Sequence, residues 1–327
     1  MAIATNVRAG RVTALLAGLQ SARGTVVDDF TATDAGRVWS DAYLDDVGPL
    51  KSDPAGWMTS SKMATVGRYT RPRPINGELT AKATPTLLEW LLRSCWGTFA
   101  GGQFTYSPYV SEWLTLAWAE SVVDGAAGKF HRVYDAWIDS LTLRAGAFEP
   151  LSIEATWAAE REVAPLNITD LAGVTLPAEP MTPDDKNVFP GRLVRLFRDP
   201  LGDNEEISLH SVEVSIDCNV IQEWDMMRGV FLVAKGGFPG PRVNLSFEAH
   251  VADETWEVLQ AAIDDEKTIY RLSAYAQQPF KQLVIEFSEM DFEVEPLGHE
   301  GQNCRRFRAV GQAHEDSSGN LTAFNLS

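Results

Sequence analysis

The sequence predicts a mainly β fold (class α+β) organised as two tandem units, each joining strands to one flanking helix. Two observations predict it. Apolar and polar residues alternate strictly along several short segments, and a strand-then-helix pattern recurs 168 residues downstream of its first appearance.

The first such pattern begins at Ile75. Ile75, Gly77, Leu79, Ala81 and Ala83 alternate with Asn76, Glu78, Thr80, Lys82 and Thr84, the period of a strand with one face buried. Thr84-Pro85 then suits a helix start, with a capping hydroxyl and proline in the first turn. Leu88, Leu91 and Cys95 continue at helical spacing, and Gly97 reads as the stop. The second pattern has Val243, Leu245, Phe247, Ala249 and Val251 on one strand face. Asp253 and Glu254 fit the first turn of a helix, and Trp256, Leu259 and Ile263 form its apolar stripe. The 168-residue shift places Ile75 on Val243, Leu79 on Phe247, Leu88 on Trp256 and Cys95 on Ile263.

Other strands follow the same logic. Val212, Val214, Ile216, Cys218 and Val220 alternate with polar residues. Ile138, Leu141 and Leu143 open one strand, and Leu151, Ile153, Ala155 and Trp157 make the next. Leu283, Ile285 and Phe287 give way to Met290, Phe292 and Val294 with a change of phase near Ser288-Glu289, the mark of a β-bulge. Phe307, Ala309, Gly311 and Ala313 supply the last strand. The stretch 164–190 holds five prolines and little periodicity, so it reads as a linker between a first domain, 1–163, and a second, 191–327. Residues 98–129 are an insertion relative to the second unit. They are rich in aromatics (Tyr106, Tyr109, Trp113, Trp118), which predicts packing on the core or on a neighbour.

Net charge is −17. Residues 201–300 contribute 20 acids against 6 bases, a balance that disfavours binding to phosphate backbones. It is either a solvated face or a surface that stays near DNA without adhering to it. Three cysteines, Cys95, Cys218 and Cys304, are too few and too scattered for a disulfide framework or a zinc site; the first two lie on apolar stripes. The apolar run 12–19 is short and lacks a cleavage pattern, which argues against a secretory leader, and no run has the length of a membrane span.

No phosphate-binding glycine loop, nucleophile elbow or paired-histidine metal motif occurs. Three weaker groups remain. His299, Glu300 and Cys304 read as an exposed turn before a metal site. Asp264, Asp265 and Glu266 lack the spacing of a calcium loop. Glu286, Glu289, Asp291, Glu293 and Glu295 have the carboxylates of a glycosidase, yet their alternation is that of an outward strand face. The expectation is therefore a non-enzyme with no catalytic residue, no metal and no cofactor.

Gln20-Ser21-Ala22-Arg23-Gly24-Thr25, then Gly77-Glu78-Leu79-Thr80 with Pro85 and the Leu-Leu-Glu-Trp-Leu-Leu run at 87–92, then Ser140–Leu143 and Leu151–Trp157 resemble the tail tube (major tail) proteins of long-tailed bacteriophages. The resemblance implies two tandem tail-tube-like β-sandwich domains, each with one flanking α-helix. It implies a structural virion protein, made in the host cytoplasm, whose rings stack into a hollow tube. A duplicated subunit would close a pseudo-sixfold ring with three chains. The implied partners are further copies of the chain, a tape-measure protein, and terminator and baseplate proteins. DNA would pass through the lumen unbound, and no membrane is involved. Competing readings are another ring-forming virion part (tail terminator or baseplate hub) and a carbohydrate-binding β-sandwich module using the aromatics at 106–118. A hydrolase built on the acidic strand is the last of them.

Overall fold

A computed structural model describes residues 8–30, 43–45, 53–58, 65–71, 74–110, 112–122, 129–167, 170–171, 173–175, 188–198, 205–225, 228, 230–235, 240–250, 268–277, 280–297, 306–315 and 321–327. The first half contains β1 (Arg8–Leu19), β2 (Tyr43–Asp45), β3 (Asp53–Met58), β4 (Thr65–Arg71), β5 (Ile75–Lys82) and helix α1 (Pro85–Cys95). It continues with β6 (Gly97–Ala100), β7 (Gln103–Tyr106), β8 (Leu114–Val122), β9 (Lys129–Gly146) and β10 (Ser152–Asn167). After a 3-10 turn at Gly191–Leu193 come β11 (Val194–Arg198), β12 (Glu205–Ile207), β13 (Leu209–Asp217), β14 (Ile221–Asp225) and β15 (Val230–Ala234). β16 (Arg242–His250), β17 (Thr268–Gln277), β18 (Phe280–Leu297), β19 (Arg306–His314) and β20 (Thr322–Leu326) complete the second half. The fold is mainly β, as the alternation predicts. The helix expected over 253–263 lies outside the described residues.

Helix α1 starts where the sequence places it. The Thr84 hydroxyl accepts the Leu87 N–H at 3.3 Å, and Pro85 occupies the first turn. Leu87, Leu88, Leu91, Leu92 and Cys95 are buried, each leucine contributing about 1.5–3 kcal/mol of transfer free energy. The end differs from the expectation. Trp96, still helical, caps the helix by donating its N–H to Leu92 O at 2.7 Å. Gly97 is already in β6, and its lack of a side chain answers a close approach. A Cβ there would come within 2.0 Å of the Thr105 carbonyl oxygen on β7.

The strand order is the same in both halves. In the first, β5, β10 and β9 are neighbours, and the leading part of β9 pairs with β8, which pairs with β1. In the second, β16, β19 and β18 are neighbours, and the leading part of β18 pairs with β17, which pairs with β11. Both β9 and β18 are 18 residues long and change partners along their length. Register also coincides. Leu79 faces Ala155, which faces Leu141; Phe247 faces Ala309, which faces Val294. Leu79 and Phe247 are residues that the 168-residue shift superimposes. The bulge expected near Ser288 is present, between the pairs Phe287–Tyr270 and Met290–Thr268.

The halves differ in detail. β10 runs unbroken where the second half uses two strands, β19 and β20. The volume swap is reciprocal. Trp157 lies across Gly77, whose Cβ would sit 2.4 Å from the indole ring. At the corresponding pair, Leu245 faces Gly311, and Phe292 fills the space a Cβ would need, 2.7 Å away.

Both ends of the stretch 164–190 are built into the sheet and the core. β10 extends through Asn167, and Val188 and Phe189 are buried, with Phe189 O accepting from Leu151 N at 2.8 Å. One sheet and one apolar core run through both halves. The trailing part of β9, residues 140–146, pairs with residues 217–211 of β13. The β6–β7 hairpin, from the segment 98–129, pairs with β20 of the second half. Its turn is Gly101-Gly102, with φ of 62° and 88°.

Candidate assembly surface

Eight consecutive strands, β18-β19-β16-β13-β9-β10-β5-β2, form the middle and one wing of the sheet, four from each half. Alternation divides their residues. Leu79, Leu141, Ile153, Val214, Leu245 and Ala309 face the core and are fully buried. The opposite face is polar. From β5 to β18 it presents Glu78, Glu154, Glu213, Asp217, Glu248, Glu289, Asp291, Glu293 and Glu295 against Lys82, Arg144, Arg242, Arg306 and Arg308, with serine, threonine, asparagine and glutamine between. Val310 is its one exposed large aliphatic residue among the described positions. The last three carboxylates are among those that the sequence offers as a glycosidase set. They stand in a row along an open strand rather than across a cleft.

The junction of the halves crosses this face. Arg144 on β9 donates from Nη1 to Glu154 on β10 at 2.9 Å and from Nε to Glu213 on β13 at 2.7 Å. All three are solvent-accessible, so the network adds at most about 1 kcal/mol per pair; the backbone ladder carries the junction. At the two ends of the run the ladder stops. Residues 291–297 of β18 pair with β19 alone, and β2 pairs with β5 alone, among the described residues.

A second contact links the halves. The β14–β15 hairpin follows β13 directly and folds over the β9–β10 pair where Trp137 faces Ala158. Trp137, Ala158, Trp113, Val110, Phe231 and Val233 form a cluster separate from the main core. The Trp137 ring meets Trp113 edge-on at 6.0 Å and Phe231 at 6.4 Å. Arg23 stacks over Trp113 at 4.3 Å, donates to Phe231 O at 2.6 Å and pairs with buried Glu160. Lys235 N donates to Pro108 O at 2.8 Å.

The loop after β1, Gln20–Thr25, is pinned beside this seat. Asp135 is fully buried in a left-handed conformation, φ 54°, and its Oδ1 accepts from Gly24 N at 2.6 Å and from Gln20 Nε2 at 3.3 Å. Nothing local in the sequence marks Asp135; only its tertiary partners do. Beyond Trp137, burial pushes the Asp139 carboxyl up to about 6. The Trp137 indole donates to it at 2.9 Å and opposes that rise, while the Asp217 charge adds to it. Asp139 O also accepts from Cys218 N at 3.0 Å, which places this group at the junction itself.

A cleft between the end of β9, residues 191–194 and residues 206–212 is lined by small residues such as Gly146, Gly191 and Ser208 together with Arg192, Glu206 and His210. No group of three or more possible metal ligands occurs among the described residues. His299, Glu300, Cys304 and residues 264–266 lie outside them. Of the aromatics considered for carbohydrate, Trp113 and Trp118 are buried and Tyr106 packs on Trp96 at 5.1 Å, leaving Tyr109 exposed. They serve the core and the hairpin seat and form no binding platform. Cys95 and Cys218 are buried core residues, as the apolar stripes suggest.

No protein-family model and no curated protein matches the chain by sequence. Among the described residues, no helix is long and apolar enough to cross a membrane.

Proposed function

We propose that the chain is the subunit of a phage tail tube, a structural protein whose copies join edge to edge into rings that stack around a channel. The observation that carries this reading is the pairing of β9 with β13. It joins the trailing edge of one four-strand set to the leading edge of the next, and among the described residues the same two kinds of edge, at residues 291–297 of β18 and at β2, have no further strand beside them. A contact between unlike edges is heterologous, and repetition of such a contact closes a ring when the rotation from copy to copy divides a full turn. An unpaired sheet edge is a liability in a monomer, and ring closure removes it.

Each chain holds two four-strand sets in the same order, which supports a duplicated subunit and three chains in a pseudo-sixfold ring. The polar face, with nine carboxylates against five Lys and Arg among the described residues, suits a wall along which DNA and a tape-measure protein slide without adhering. Rings of this kind would be capped by terminator and baseplate proteins in the virion. No catalytic step is proposed.

Negative-stain electron microscopy of the concentrated protein tests the reading. Rings or hollow tubes of uniform diameter are expected. A chain that stays monomeric at every concentration, with no tube in the particle that encodes it, refutes the assignment.

A further inference from the structure

We propose that β18 of one chain pairs with β2 of a second copy in a single antiparallel register, with Leu297 directly opposite Asp45, the alignment that β9 and β13 keep within one chain. The inference rests on the ring reading and adds to it the height at which neighbouring copies meet.

The template is the junction inside the chain, where Arg144 on β9 lies opposite Glu213 on β13 and Leu143 lies opposite Val214. The correspondence of the halves carries this ladder to the two remaining edges. The 168-residue shift matches Glu78 on β5 with Ser246 on β16; Glu78 faces Asp45, and Ser246 faces Glu213. Asp45 therefore holds the position of Glu213. On the other side, Leu79 faces Ala155 as Phe247 faces Ala309, which matches Ser152 with Arg306. Ser152 faces Arg144, and Arg306 faces Leu297. Leu297 therefore holds the position of Arg144, and the pair Arg144–Glu213 within a chain becomes Leu297–Asp45 between chains.

The direction of the backbone donors agrees. Cys218 N donates to Asp139 O at 3.0 Å, so these two opposed residues form a hydrogen-bonded pair. Alternation along the ladder makes 141–216 and 143–214 hydrogen-bonded pairs and leaves 144–213 a non-hydrogen-bonded one. Leu141 and Leu143 thus aim their N–H groups at β13. Their counterparts on β18 are Val294 and Pro296, which have no strand on that side among the described residues. The early part of β18 gives the same direction independently. Gln282 N donates to Ser327 O at 2.9 Å, towards β20, so the core-facing residues between, such as Ile285, donate the other way. Val294 also packs on the core and, past the bulge, keeps that direction, with its N–H pointing out of the edge. Pro296 has no N–H to give, so the join has one bond fewer than its template. Proline on an edge discourages chance pairing, and the weaker ladder suits a contact that forms between finished chains.

Register decides whether the ring closes. A slip of one residue sets the core side of one strand against the polar side of the other. A slip of two keeps the faces but displaces neighbouring copies by about 7 Å along the strands. Joins within and between chains would then differ, and a pseudo-sixfold ring needs them alike.

Cysteine pairing reads the register on the full chain. Opposed residues of a non-hydrogen-bonded pair have Cα atoms about 4.5 Å apart, within disulfide reach. In a Cys304→Ser background, Asp45→Cys with Leu297→Cys, assembled and treated with oxidised glutathione, should give covalent dimers and trimers on a non-reducing gel. Asp45→Cys with Glu295→Cys sets the sulfurs one diagonal apart, about 7–8 Å, and should cross-link about tenfold less. Hydrogen exchange on wild type needs no substitution: the Val294 amide gains protection on assembly, while that of Glu295, directed at Arg308 on β19, does not change. If wild type forms rings and the aligned pair links no better than the slipped one, or the Val294 amide stays as open as in the monomer, the register is wrong and the ring reading stands. If wild type forms no rings, both fall.

Discussion

Asp139 sits where the halves meet, and its titration reports on that junction. Its carboxyl is raised from 3.8 to about 6 by burial, helped by the Asp217 charge and opposed by the Trp137 indole. A raised acid binds its proton more tightly in the folded chain than in the unfolded one. Folding is therefore favoured below about pH 4, and this contribution is lost as pH climbs through the window from 3.8 to about 6. Above the window the ionised group costs stability. A shift of roughly two units corresponds to about 3 kcal/mol. The side chain is only half-buried, so solvent screening reduces this to about 1–2 kcal/mol. Asp139→Asn removes the charge and keeps an oxygen to accept from Trp137. Urea unfolding across pH, at concentrations below assembly, should show the variant matching wild type near pH 3.5 and exceeding it by about 1–2 kcal/mol near pH 7. Parallel profiles for the two proteins would falsify the assignment of this carboxyl as a strained group at the junction.

Two other changes test the packing. Trp137→Ala empties the centre of the hairpin seat and should cost about 3–5 kcal/mol. Limited proteolysis should then cut within 221–234, whereas continued protection would mean that the hairpin is held by something other than this ring. Gly77→Leu should cost about 1–3 kcal/mol, because its side chain enters the space of the Trp157 indole. Adding Trp157→Gly, which copies the Leu245–Gly311 arrangement, should recover part of that loss in thermal denaturation, and no recovery would mean that the two pairs are not interchangeable.

The alternating strands were the legible part of the fold. β5, β13 and β16 bury one face and expose the other, so period two is printed in their residues. The shared phase of Leu79 and Phe247 was visible for the same reason. β1 is not legible, because an apolar run bounded by arginines reads equally as a failed leader. The hairpins β6–β7 and β14–β15 are not legible, because their burial comes from distant elements and leaves no local period. Trp137 illustrates this. It follows the core-facing Ala136 and turns to the other face, where a segment more than eighty residues away covers it. Gly97 was assigned a cap's role when its need is space beside β7. The junction itself was not legible, since alternation tells which face of a strand is dry and is silent on which strand lies beside it. The carboxylate row on β18 is legible as a strand face, whereas its register opposite β19 depends on the tertiary fold.

β20 lies between β18 and the β6–β7 hairpin, so a strand of the second half closes a sheet opened early in the first. During synthesis the rim of β7 waits bare until nearly the whole second half has left the ribosome. Non-local closure of this kind is slow, and a waiting rim can capture the β20 of another nascent chain. A cell making this protein in quantity therefore has reason to shield that rim, and truncated products ending before β20 should be the first to aggregate.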